Sequence, residues 1–133
     1  MSTETLLRWV FRVAAVYNIL WGVVIILFPN FPFDLADIPR INYPFLMSGI
    51  GMFVGVYGYG YWVVAEDLRR YPQLVVIGFL GKTLGPIGWI YHVALGDIPA
   101  YTLWVNVFND LIWLPFFVAY FLWYRKEKVP LPI

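Results

Sequence analysis

Cysteine is absent from the 133 residues, histidine occurs once, and charge is scarce: nine Lys or Arg and eight Asp or Glu. Without a thiol the chain has no disulfide, thiolate nucleophile, Cys zinc site, Cys-ligated iron–sulfur cluster or attached c-type haem. One imidazole cannot supply both axial ligands of a bis-histidine haem, so a haem would need a dimer or another ligand. The net charge is +1, and the basic residues stand in short groups, not on one face, which argues against nucleic acid as a partner. No nucleophile with its base, no metal-ligand cluster and no cofactor motif is present, so the reading turns away from an enzyme acting alone. Gly81-Lys82-Thr83 looks like the end of a phosphate-binding loop, but Val76 stands where that loop needs its first glycine.

What the chain has in abundance is apolar surface. Hydrophobic residues make up 62% of it, against about 45–50% in a soluble domain. Every charge except Arg12, Lys82 and Asp110 falls outside four apolar runs: Trp9 to Phe28, Pro44 to Ala65, Leu74 to Leu95 and Tyr101 to Tyr124. Each run has about the 20 residues needed to cross a hydrocarbon core of roughly 30 Å. The expected fold is an all-α membrane protein, a single domain (1–133) built as a four-transmembrane-helix bundle with short loops. Phe28-Pro29-Asn30-Phe31-Pro32 offers no small-residue cleavage site, so the first run reads as a retained helix and not a signal peptide.

Basic residues set the expected threading. Arg8, Arg12, Arg69, Arg70, Arg125, Lys126 and Lys128 fall on one side and only Arg40 on the other, so both termini should be cytoplasmic (N-in/C-in), in the bacterial inner membrane. Tyr61, Trp62, Trp104, Trp123 and Tyr124 lie near predicted ends and read as headgroup anchors. The segment Pro29 to Tyr43 is the one long connection, expected as a loop in the outer interface. The tail Val129 to Ile133 is too short and Pro-rich to fold alone.

Two glycine stripes repeat one spacing 30 positions apart: Ser48, Gly51, Gly55 and Gly58 in the second run, Gly78, Gly81, Gly85 and Gly88 in the third. Small residues at such spacing let helix backbones approach closely in lipid, so both stripes are expected to pack against other helices. The match is also the pattern that an inverted repeat would leave.

The informative residues are polar ones inside apolar runs. Lys82 lies about 12 Å and Asp110 about 21 Å from the cytoplasmic boundary at the helical rise, a difference that a lysine side chain largely covers. An isolated ion at such depth costs at least ~2.5–3.5 kcal/mol, so the two should meet. Asn106, Asn109, Asp110 and Trp113 share one face of a regular helix, and Gly78, Lys82, Gly85, Trp89 and His92 share another. Asn18 lies near the height of Lys82. Pro86 and Pro115 lack the N–H groups that would bond the carbonyls of Lys82 and Leu111. The expected ligand or ion pocket is therefore Asn18, Lys82, Trp89, Asn106, Asn109, Asp110 and Trp113. His92 reads as a headgroup or hydrogen-bonding residue, and no metal site is expected.

Tyr17-Asn18-x-x-Trp21-Gly22, Asn42-Tyr43-Pro44, Gly81-Lys82-x-x-Gly85-Pro86-Ile87-Gly88 and Asn109-Asp110-Leu111-Ile112-Trp113 together resemble small four-helix bacterial membrane proteins of the DoxX-like group. The resemblance runs from Trp9 to Tyr124 and implies a quinone-facing or anchoring subunit of a membrane redox complex. Some similar sequences carry an alkyl hydroperoxide reductase label, which the missing cysteine excludes here. The function expected is non-catalytic: holding a lipid- or quinone-like ligand by its polar head in the interior pocket. An ion- or proton-coupled transporter and a structural subunit whose glycine faces bind a partner helix are the alternatives. Membrane lipids are the expected partners, with a homo-oligomer or larger membrane complex as further possibilities.

Overall fold

A computed structural model describes residues 1–127; Lys128 and the tail Val129 to Ile133 lie outside the described residues. Every regular element among the described residues is helical. The first helix, α1 (Thr3–Leu27), starts at an N-cap Ser2 whose hydroxyl accepts the Thr5 N–H at 3.1 Å. That bond satisfies one of the amides a helix start leaves open. Its buried residues, Leu7, Phe11, Ala14, Ala15, Asn18, Gly22 and Ile25, form a single stripe at helical spacing.

The outer connection, expected as a plain loop, holds a short helix α2 (Phe31–Ala36). Pro32 suits a first helical turn, and Asp37 at φ 52° ends the helix in the left-handed region. Arg40 grips the Asp34 carboxylate with two bonds of 2.7 and 2.8 Å, which holds that carboxyl below its ordinary range. The Tyr101 hydroxyl donates to the Asp37 carbonyl at 2.7 Å, tying this segment to the start of the last membrane helix.

Prolines open the next two helices, α3 (Pro44–Glu66) and α4 (Pro72–Leu95), and Gly96 at φ 80° closes α4. The last run departs from a uniform α-helix. It consists of a 3-10 turn (Ala100–Leu103), the single turn α5 (Trp104–Asn106), a π turn (Val107–Leu111) and α6 (Leu114–Lys126). Three helical stretches are long and apolar enough to cross a membrane: Thr3–Leu27, Pro72–Leu95 and the composite Ala100–Lys126. At 23 residues α3 has the length, but Gly49, Gly51, Gly55, Gly58, Gly60, Tyr57, Tyr59 and Tyr61 dilute its hydropathy, and composition alone does not class it with the others.

The α1–α3 seam is made of backbone. A Cβ at Gly22 would lie 2.6 Å from the Gly51 carbonyl oxygen and 2.8 Å from the Gly55 nitrogen, and one at Gly58 would lie 2.8 Å from the Ala15 carbonyl oxygen. The Ser48 hydroxyl donates to the Ile26 carbonyl at 3.2 Å, also across this seam. The α4 stripe meets different things: Gly78 abuts the Tyr61 ring, Gly81 is in ordinary contact with Tyr57, Gly85 faces Asp110, and Gly88 meets nothing within 4 Å. Gly88 therefore packs against no other helix among the described residues.

The apolar core sits at the end where the N-terminus, the α3–α4 loop and the end of α6 converge. Phe11 packs edge-on against Phe117 and Tyr120 at 5.6 and 5.7 Å, and the Tyr120 hydroxyl donates to the Leu68 carbonyl at 2.7 Å. Tyr61, Trp123 and Tyr124 belong to this core and are not the headgroup anchors expected of them, whereas Trp62 and Trp104 are exposed. Arg69 lashes the same end together, bonding Glu4 at 3.0 Å and Glu127 at 2.8 Å.

Candidate functional site

Beyond that core, toward the other end of the bundle, α4 and the π turn bring polar groups together. Lys82 and Asp110 are 7% and 6% exposed, and Lys82 Nζ lies 3.2 Å from Asp110 Oδ1. The ammonium also donates to the Asn109 carbonyl oxygen at 2.6 Å. In an unbroken α-helix that carbonyl would take the Trp113 N–H. Here the Trp113 N–H bonds the Asp110 carbonyl at 3.1 Å, and the Ile112 N–H reaches back five residues to Val107 at 3.1 Å. The π turn thus turns a backbone acceptor toward the lysine, and Pro115, with no N–H to give Leu111, follows directly after the break.

The carboxylate is used asymmetrically. Oδ1 accepts the Asn109 Nδ2 at 3.0 Å and faces Lys82. Oδ2 makes no hydrogen bond among the described residues and lies 3.2 Å from where a Cβ of residue 85 would stand. Gly85 is what leaves room for the acid between α4 and the π turn.

Two more buried donors are open. Asn106 Nδ2 and Trp113 Nε1 have no hydrogen-bond partner among the described residues, and their residues are 4% and 8% exposed. Leaving such a donor unmatched costs about 1–3 kcal/mol. Asn18 is buried on α1 but forms no hydrogen bond with Lys82 or Asp110. Trp89 is committed elsewhere: its Nε1 donates to the Thr102 hydroxyl at 2.9 Å, and that hydroxyl donates to the Pro99 carbonyl at 2.7 Å. It pins the turn that starts the last helix.

Two residues outside the expected pocket are packed against its members. The Tyr17 ring sits 5.5 Å from Trp113, and Thr102, fully buried, anchors Trp89. Tyr17 follows the sequence order Tyr17-Asn18, and its aromatic ring beside a helix stripe was the available signal. His92 bonds the exposed Asp97 carboxylate at 2.7 Å, and no group of three potential metal ligands occurs among the described residues.

Two apolar grooves lie elsewhere on the surface. One of about 490 Å³ is lined by Trp9, Arg12, Val13, Val16, Tyr17 and Trp62. The other, about 230 Å³, runs between α3 and α4 along Val56, Tyr57, Gly60, Tyr61, Leu74 and Ile77. Neither is lined by Lys82 or Asp110. No family model, curated protein or solved structure matches the chain, so the chemistry of the site is argued from its geometry.

Proposed function

We propose that this chain is a non-catalytic integral protein of the bacterial cytoplasmic membrane, related to the DoxX-like group, that holds a lipid- or quinone-like molecule by its polar head beside Lys82 and Asp110. In this reading it crosses the bilayer four times with both termini in the cytoplasm. The shared end formed by Glu4, Arg69 and Glu127 supports that threading, because α3 must then run the length of the membrane between α1 and α4. The observation that carries the ligand is the pair of unmatched buried donors, Asn106 Nδ2 and Trp113 Nε1, on the same stretch as a π turn, a distortion found often where helices do chemistry or bind. Purification in mild detergent followed by mass spectrometry should recover a stoichiometric lipid or quinone. An Asn106→Leu/Trp113→Phe variant should come out without it, and empty wild-type protein from several hosts would overturn the reading.

A second reading, an ion- or proton-coupled transporter, is favoured by the buried Lys82–Asp110 pair between α4, which carries Pro86 inside it, and a last run broken by the π turn. Flux into proteoliposomes that is abolished by Asp110→Asn supports it, and flux unchanged in that variant removes it.

A further inference from the structure

α3 and α4 touch where Tyr61 abuts Gly78 and Tyr57 meets Gly81, and further along α4 no described α3 atom stands within 4 Å of where a Cβ of residue 85 or 88 would lie. A Cβ at Gly85 would meet only the Asp110 carboxyl, and one at Gly88 would meet nothing within 4 Å. Both glycines are exposed, as are Leu84, Ile87, Phe53 and Val56 nearby in sequence on the two helices. This flank therefore faces acyl chains, and behind Gly85 lies a carboxylate oxygen that no protein donor occupies. We propose that Asp110 is reached sideways from the bilayer past Gly85, and that its Oδ2 accepts a hydrogen bond from the hydroxyl of a neutral membrane-dissolved amphiphile, such as a diacylglycerol or a quinol.

Charge selects the headgroup. Lys82 already balances Asp110 at 3.2 Å, so an anionic head would face a carboxylate oxygen and a cationic head would leave a net charge in hydrocarbon. A neutral hydroxyl donates to Oδ2 without disturbing that balance. Diacylglycerol and quinol share this chemistry and differ in their tails and rings.

The proposal deepens the ligand-binding reading and is tested separately from it with dicyclohexylcarbodiimide, an uncharged, lipid-soluble reagent, on the full chain in membrane vesicles. The Asp110 carboxylate adds to the carbodiimide carbon while the Lys82 ammonium, 3.2 Å away, gives the proton to a reagent nitrogen and is left as the neutral amine. The resulting O-acylisourea either rearranges to a stable N-acylurea or is attacked by the Lys82 amine, forming an internal amide and expelling dicyclohexylurea. Either product, located by peptide mass spectrometry, marks Asp110 as reached. Wild type should give it, a charged water-soluble carbodiimide should not, and Gly88→Leu, which fills the same flank without touching Asp110, should suppress it. Gly85→Leu should abolish it, with a melting curve in detergent checking that the variant folds. No product at Asp110 in wild type, or undiminished product in Gly88→Leu, overturns the route whatever co-purifies. Dioctanoylglycerol or decylubiquinol should protect Asp110, each arm identifying its own source, whereas dioctanoyl phosphatidic acid and dodecylammonium should not. Protection by a charged amphiphile alone, or by none of them, overturns the headgroup class.

Discussion

Gly22 on α1 and Gly51 on α3 bring their backbones so close that a Cβ on Gly22 would stand 2.6 Å from the Gly51 carbonyl oxygen. Lipid tails are as apolar as the side chains they displace, so this seam is held by close packing and not by escape from water. Gly22→Ala forces backbone against backbone and should destabilise the protein by about 1–3 kcal/mol. Gly49→Ala, on the same helix as Gly51 but with nothing within 4 Å of the new carbon, should leave stability unchanged or slightly raised through helix propensity. Thermal unfolding in detergent, run on both variants, checks the contrast; equal losses would mean that the seam is not the source.

The Lys82–Asp110 pair should behave as a unit. Removing one partner by Lys82→Met leaves a buried carboxylate alone, at a cost of about 3–5 kcal/mol. Removing both, Lys82→Met with Asp110→Leu, takes away the charge and its counter-charge and should recover most of that loss. Graded denaturation in mixed micelles measures the three proteins together. A double variant as unstable as the single one would show that the Asn109 carbonyl contact, at 2.6 Å from Nζ, matters more than the ion pair.

How much of this was readable in advance follows from what each feature costs. Two opposite charges buried in apolar runs are expensive enough to dictate a contact, so the depths of Lys82 and Asp110 along their helices pointed to one another. The π turn left no such mark. Val107 to Leu111 has the composition of ordinary helix, and regular spacing gave Asn109 a side-chain role, which it has toward Asp110 Oδ1, but said nothing of its backbone carbonyl, which binds the lysine. The partner of Trp89 was hidden for a related reason: Thr102 sits across a turn, and helical periodicity says nothing about contacts between elements. Tyr61, Trp123 and Tyr124 lie near helix ends, where aromatic rings suit headgroups equally well. Only the convergence of three chain segments buried them. α2 was missed because Phe31 to Ala36 is short and follows Pro29 and Asn30, a pattern read as a connection.

The outer segment should loosen in acid. Arg40 bonds the ionised Asp34 and holds its folded pKa below the ordinary value of 3.8, so its stabilising effect is fully present above that value and fades as pH falls through the lowered one. Both side chains are largely exposed, which limits the effect to this segment and makes it salt-sensitive. Hydrogen exchange of amides between Phe31 and Arg40 should quicken at strongly acidic pH in wild type. In Asp34→Asn it should be faster from the start with little pH dependence, once the intrinsic exchange rate is allowed for. Protection in wild type that does not change with acid would show that the Tyr101 bond to Asp37 holds the segment by itself.

The number of crossings turns on α3, the helix whose glycines and tyrosines dilute its hydropathy, and the absence of cysteine makes it easy to test. Single Ser2→Cys, Asp37→Cys, Arg70→Cys and Ala100→Cys variants place one thiol at each end of the membrane-length elements, all outside the buried core. If α3 crosses, a membrane-impermeant maleimide added to right-side-out vesicles labels Asp37→Cys and Ala100→Cys, while Ser2→Cys and Arg70→Cys react only after inversion. If α3 lies in the interface, Asp37→Cys and Arg70→Cys react from the same side. The contacts of Arg69 with Glu4 and Glu127 are the ground for expecting the first outcome. They hold the residue next to position 70 against the beginning of α1 and the end of α6, and α1, long and apolar enough to span, carries the chain away from that end. If α1 spans the bilayer, the chain has to return across the same thickness for Arg69 to reach Glu4, and the four-crossing proposal gives that return to α3. Labelling of Ser2→Cys and Arg70→Cys from opposite sides would contradict both the threading and the packing at that end.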